Sequence, residues 1–225
     1  MSEEQVQQTE QEDTGLRLLE PTLMSLFPSP LFVGKVSDDS LCDKLVESVY
    51  KLRDEKQGSF EAGNFTTWDD LHGHQDFIHL SELVLKETYQ VMDFLKVKRD
   101  NHYITGMWAN ITNPNHRHPL HLHPNSFLSG ILYIKVPEKA GGTVFPDPRP
   151  AARVFEPSYE QMFEWNSGRF TFPATKGTML IWPSWMQHGV ERGFTEDDTQ
   201  DRIAIAFNVQ MIGKIETRTA KLELT

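Results

Sequence analysis

A mainly β fold, a jelly roll with N-terminal helices packed on one face, is what this 225-residue sequence predicts, on three observations. Helical spacing of apolar residues is confined to the first hundred positions. From about Ile104 the chain breaks into short β-branched and aromatic runs separated by Pro and Gly. The clearest of these runs, RIAIAFNV, alternates strictly between two kinds of face.

The first helix is expected from about Ser37 to Lys56, with Leu41, Leu45, Val49 and Leu52 at helical spacing. Asp38 and Asp39 fall in its first turn, Arg53 and Lys56 near its end, and Gly58 just beyond. A second helix starts near Ser81 and puts Val84, Val91 and Leu95 on one face. Between them, GSFEAGNFTTWDDLHGHQDF has the Gly, Asn and Asp punctuation of a loop. Helical support thus spans about 37–98 and the β core about 104–212. The strands are expected at MWANIT, FLSGILYIKV, GGTVF, RFTF, TMLIW, HGVE and RIAIAFNVQMI. Residues 150–169 look like an insertion over one mouth of the roll.

Length suits one domain, here 17–225, behind an acidic, Gln-rich tail over 1–16 that is too polar to bury. That N-terminus is the reverse of an export signal. No apolar run approaches the roughly 18 residues of a membrane span. A single cysteine, Cys42, closes no intrachain disulfide, which points to a reducing, cytoplasmic compartment. The net charge of −10 argues against a nucleic-acid backbone as main partner. The expected partner is instead a small molecule or polypeptide substrate; self-association is neither required nor excluded.

Four of nine histidines fall within NHRHPLHLHPN: His116, His118, His121 and His123. Along a strand, side chains two apart share a face. His121 and His123 can therefore reach one ion, each at roughly 2.0–2.2 Å. His188, at the end of GTMLIWPSWMQH, is distant in sequence and expected beside them in space. A close pair and a distant third make a facial metal site with open positions. His116 and His118 read as loop residues that line the entrance at most; His72, His74, His79 and His102 read as surface or loop residues.

On RIAIAFNV, Ile203, Ile205, Phe207 and Val209 form one face and Arg202, Ala204, Ala206 and Asn208 the other. Two alanines make room and an arginine offers a fork for a carboxylate, as a small dicarboxylate needs. The bland alternative is an edge strand with a solvated arginine. Ser129, Ile131, Tyr133 and Lys135 share a face of FLSGILYIKV; Tyr133 either donates its hydroxyl to the same carboxylate or packs in the core. Asn110 approaches from a neighbouring strand. Trp108, Trp182, Trp185 and Phe127 are candidates for apolar lining.

The order His-x-His, LSGILYI, GGTVFPDPRP, GTMLIWPSWMQH and RIAIAFN resembles a family of 2-oxoglutarate/Fe(II) oxygenases of bacteria and marine phages, within the superfamily of the prolyl hydroxylases. The likeness runs from about Leu26 to Met211 and includes LFPSPLFV. It implies a double-stranded β-helix, Fe(II) on His121, His123 and His188, and 2-oxoglutarate anchored by Arg202 and Tyr133; the strand faces add Ser129, Asn110 and Asn208 as residues expected around it. It also implies a dioxygenase that consumes O2, hydroxylates a C–H bond and releases succinate and CO2.

The chain departs from the superfamily at one position. The usual set is His-x-Asp/Glu with a distal His, and His123 stands at the carboxylate's place. A three-imidazole site leaves the metal one unit more positive and favours anionic co-ligands. Asp147, in FPDPRP, either supplies a carboxylate or lines the substrate mouth with Arg149, His116 and Trp185. Halogenation is disfavoured, because an imidazole fills the space a halide would need. Two rivals stand beside this reading: a cupin-type three-His enzyme without 2-oxoglutarate, and a non-catalytic jelly-roll module holding a metal such as zinc.

Overall fold

The computed structural model describes residues 22–152, 154–216 and 218–225; the expected tail over 1–16 lies outside them. In chain order it contains β1 (Phe32–Lys35), α1 (Asp39–Asp54), β2 (Gly58–Glu61), β3 (Asn64–Thr67), α2 (Ile78–Phe94), β4 (Asn101–Thr112) and β5 (His118–His121). There follow β6 (Leu128–Lys135), β7 (Thr143–Pro146), β8 (Arg169–Phe172), β9 (Thr178–Pro183), β10 (His188–Val190), β11 (Arg202–Glu216) and β12 (Lys221–Leu224).

Two antiparallel sheets form a jelly roll. The larger runs β1-β9-β6-β11-β4-β3-β2, with β12 on β11; the smaller runs β5-β10-β7-β8. Both helices pack on the outer face of the larger sheet, where α1 buries Cys42, Leu45, Val49 and Leu52 and α2 buries Leu80, Val84 and Val91. These meet Ile203, Ile205, Phe207 and Val209 of β11, the face the alternation assigned to the core. The other face of β11 looks into the roll, where a second core joins Ile131, Tyr133, Phe145, Leu180, Trp182, Met186 and Ala204.

Both helix ends differ from expectation for local reasons. Asp38 is the N-cap of α1, not a first-turn residue: its Oδ1 accepts from the Ser40 N–H at 2.8 Å. Lys56, at φ 57°, takes the left-handed position expected of Gly58, and the Gln57 N–H reaches back to the Leu52 carbonyl at 2.8 Å. Gly58 is thereby freed to begin a strand. Ser81 does not start α2; its hydroxyl bonds the Phe77 carbonyl at 3.1 Å from inside the helix.

The largest difference lies at 58–67, expected as loop and found as the β2–β3 hairpin. Glu61 pairs with Asn64 across a two-residue turn in which Ala62 (φ 47°) and Gly63 (φ 81°) are both left-handed. That is the turn whose twist matches two strands, but Ala is a rare residue at its first position. His102 is also a correction: it is buried in β4, its Nε2 2.9 Å from the Leu85 carbonyl. No described helix is long and apolar enough to cross a membrane.

Candidate active site

His121 ends β5 and His188 opens β10, and the two are direct register partners. The third ring, His123, stands two residues past His121, beyond the strand's end, yet on the same side. Ring centroids lie 5.0 Å (121–123), 4.4 Å (121–188) and 5.0 Å (123–188) apart. One nitrogen of each falls within 4.8 Å of the others, so the three can hold one metal ion. The Nε2 atoms of His123 and His188 are 3.2 Å apart. Two nitrogens each ~2.1 Å from one ion at right angles stand ~3.0 Å apart, so these two rings are already close to ligating distance.

The far nitrogens fix which atoms face inward. His121 Nδ1 lies 2.9 Å from the Pro119 carbonyl and His188 Nδ1 3.1 Å from the Met186 carbonyl; a carbonyl only accepts, so each Nδ1 carries the proton and each Nε2 its lone pair. Burial holds His188 down to about 3 and His123 to about 4, helped by neighbouring imidazoles. Both are neutral near pH 7, the form that binds metal.

The three rings open on a cavity of about 570 Å³. Its opposite end is Arg202, at the head of β11 and 3% exposed. β11 lies between β6 and β4, so the solvated edge-strand alternative for this arginine falls away. Arg202 Nε donates to the Gly141 carbonyl at 2.9 Å and the guanidinium lies 5.2 Å from the centre of the Tyr133 ring. Gly141 is required there: a Cβ would sit 1.8 Å from the Glu191 carbonyl oxygen. Nη2 is buried without a hydrogen-bond partner. A buried cation with an unused donor is costly unless an anion joins it. Burial also pushes the Arg202 pKa downward.

Beside the guanidinium, the Tyr133 hydroxyl and Thr143 Oγ1 are 2.6 Å apart, and burial raises the Tyr133 pKa, keeping it a phenol. Ala204 and Ala206 form the floor between the imidazoles and Arg202, while Trp108 and Trp182 stand in the wall. A metal-binding cluster at one end and a guanidinium at the other suit a short 2-oxo diacid chelated by the first and clamped by the second.

Other expected residues fall in different places. Asn110 lines the cavity and accepts from Thr66 Oγ1 at 3.0 Å, and His116 lines the entrance. Ser129 and Asn208 are not beside Arg202; they stand behind His123, with Asn208 Nδ2 3.3 Å from its Nδ1. Trp185 is 57% exposed, because the Pro183–Met186 turn breaks the strand alternation and swings it outward. Asp147 supplies no metal ligand. It forks onto Arg149 (Oδ2 to Nη2, 2.7 Å), and both line a separate cavity of about 240 Å³ under the 150–168 segment. The insertion therefore covers that pair and not the imidazoles. The sequence reading missed Thr143 and the hairpin's Ser59, Glu61, Asn64 and Thr66, which wall the main cavity; Gly63 alone hinted at the turn, and Ala62 before it masked the hairpin.

The jelly roll brings a three-imidazole cluster able to hold one metal ion into the same cavity as a buried arginine. Residues 106–208, which hold the three histidines, Arg202 and Asn208, match the family described as "Putative 2OG-Fe(II) oxygenase". No curated protein sequence matches the chain. Among solved structures, a Pseudomonas putida prolyl-4-hydroxylase superposes with TM-score 0.59 at 11% identity, covering 82% of this chain and 94% of its own. The non-haem α-ketoglutarate-dependent epimerase SnoN of nogalamycin biosynthesis gives 0.60 at 12%, covering 85% and 83%. HygX from Streptomyces hygroscopicus, solved with nickel and 2-oxoglutarate, gives 0.56 at 14%, covering 85% and 88%. At these identities the likeness is one of fold.

Proposed function

We propose that this protein is a dioxygenase using Fe(II), 2-oxoglutarate and O2 to hydroxylate a C–H bond of a small molecule or a polypeptide residue, in a reducing cytoplasmic compartment (a host's, if phage-encoded). The observation that carries the reading is Arg202: a buried guanidinium with an unpartnered Nη2, sharing one cavity with three clustered imidazoles, of which His123 and His188 are held neutral.

His121, His123 and His188 would hold the iron, and Arg202 would pair with the far carboxylate of 2-oxoglutarate, Thr143 and Tyr133 placing hydroxyls beside it. With both bound, the metal centre supplies the oxidising power for R–H + 2-oxoglutarate + O2 → R–OH + succinate + CO2. The chain's own residues orient and exclude water. Ala204 and Ala206 leave room for the diacid, and Trp108 and Trp182 keep the wall apolar near the rings. The hairpin's Ser59, Glu61, Asn64 and Thr66 offer a hydrogen-bonding wall for the substrate. A prolyl-4-hydroxylase and an epimerase of nogalamycin biosynthesis share this fold, so peptidyl proline and polar metabolites head the substrate classes to try.

An all-imidazole donor set favours one other reading, a three-His enzyme without 2-oxoglutarate; a metal centre holding no co-substrate leaves Arg202 without a role. Incubation with Fe(II), 2-oxoglutarate and pools of peptides and metabolites tests the proposal. Succinate formation coupled to a gain of one oxygen in a pool member is expected. Products gaining oxygen without 2-oxoglutarate consumption would establish the rival.

A further inference from the structure

The two metal-facing rings on strands are tied to backbone carbonyls, but the ring in the carboxylate's usual place is tied to a side-chain relay. Behind His123, Asn208 Nδ2 lies 3.3 Å from Nδ1. Asn208 Oδ1 accepts from the Ser129 hydroxyl at 2.8 Å, and Ser129 Oγ is 2.7 Å from Ser184 Oγ. Asn208 and Ser129 are register partners on β11 and β6, and both serines are nearly inaccessible, at 1% and 3% exposure. No member of the relay carries a charge.

We infer that Asn208, backed by Ser129 and Ser184, is a positioning residue that sets the tautomer of His123 and so completes the three-imidazole site. The Pro119 and Met186 carbonyls can only accept, so His121 and His188 present Nε2 in one state alone. Asn208 can serve either state. As it stands, the amide donates to Nδ1, and His123 carries its proton on Nε2, 3.2 Å from His188 Nε2. Ligation through Nε2 requires the proton on Nδ1. The amide then turns over, Oδ1 accepts from Nδ1–H, Nδ2 donates to Ser129 Oγ, and the Ser129 hydroxyl donates to Ser184. Every link is preserved, because amide and hydroxyl groups both donate and accept. Partners behind a ligating histidine fix its ring and tautomer in this way. A neutral amide also leaves the site its extra positive charge, where a carboxylate would cancel it.

The inference rests on the three histidines forming a metal site, and titration of metal-stripped protein with Co(II) alone, followed by its visible ligand-field bands, tests both. Asn208→Leu, of similar volume but unable to accept, is expected to bind Co(II) about 10–100-fold more weakly than wild type. Asn208→Asp, which accepts from Nδ1–H, is expected to bind at least as tightly as wild type. Should Asn208→Leu fail to fold, Asn208→Ala carries the same expected loss. Wild type that binds Co(II) while Asn208→Leu or Asn208→Ala binds equally well overturns the relay alone, as does an Asn208→Asp protein weakened as much as Asn208→Leu. Wild type that binds no Co(II) overturns the metal site and the relay together.

Discussion

The two ends of the cavity are built on opposite plans. At the metal end, short strands and a loop bring together three rings that are partly reachable and each anchored through its second nitrogen. At the far end, one long central strand buries a full charge and leaves one of its donors unpaired. The metal end offers imidazole nitrogens to a cation; the arginine end offers an unused donor to an anion. Only a ligand that brings a cation-binding head and a distant carboxylate resolves both at once, which is why the pair says more than either part.

Breaking the ends separately is the sharpest use of this contrast. His188→Ala, which removes the most buried ligand, is expected to weaken Co(II) binding by more than ~100-fold, beyond the usual effect of a partner behind a ligand. Metal titration with a circular-dichroism check of the fold measures this. Arg202→Met is expected to leave Co(II) binding within a few-fold of wild type while weakening 2-oxoglutarate by ~30-fold or more, the scale of truncating one side of a buried charge pair. It should also raise the ligand-free melting temperature, by a few degrees, since an uncompensated buried charge is gone. Unchanged 2-oxoglutarate affinity in this variant would favour the three-His enzyme without that co-substrate.

Acid probes the metal end alone. An unfolded imidazole takes up a proton near pH 6.5, whereas folded His123 and His188 resist until about 4 and about 3. The unfolded chain thus binds more protons in that window, so metal-free stability is full above about 6.5 and is lost as pH falls toward 3. Calorimetry of stripped protein should show the melting temperature falling on the order of 5 °C more between pH 7 and 4 than in a His188→Phe variant. Tyr133→Phe is the mildest test: losing one hydroxyl near Arg202 should raise the 2-oxoglutarate KM about 3–10-fold with metal binding unchanged.

Much of the site is legible in the sequence where function is carried by neighbours along the chain. His121 and His123 announce themselves by spacing, and Arg202 by sharing a face with Ala204 and Ala206 instead of the bulky residues a core strand carries. What depends on register or on a turn is not legible in this way. Ser129 and Asn208 share faces with Tyr133 and Arg202, so proximity to the diacid was the natural expectation. Only the pairing of β6 with β11 puts them against His123. Trp185 and Asp147 follow the same rule, since a turn after Pro183 and the path of 150–168 decide where they point. The hairpin stayed hidden because Ala62 occupies a left-handed position where Asn or Gly would have signalled the turn.

The claim that both ends serve one ligand is tested most directly by anaerobic titration of the metal-stripped protein with Fe(II) and then 2-oxoglutarate, followed in the visible. Wild type should develop a metal-to-ligand charge-transfer band only when both are present, His188→Ala should show none, and Arg202→Met should need ~30-fold more 2-oxoglutarate to reach it. Wild-type protein that binds Fe(II) yet gives no band at saturating 2-oxoglutarate would contradict the account.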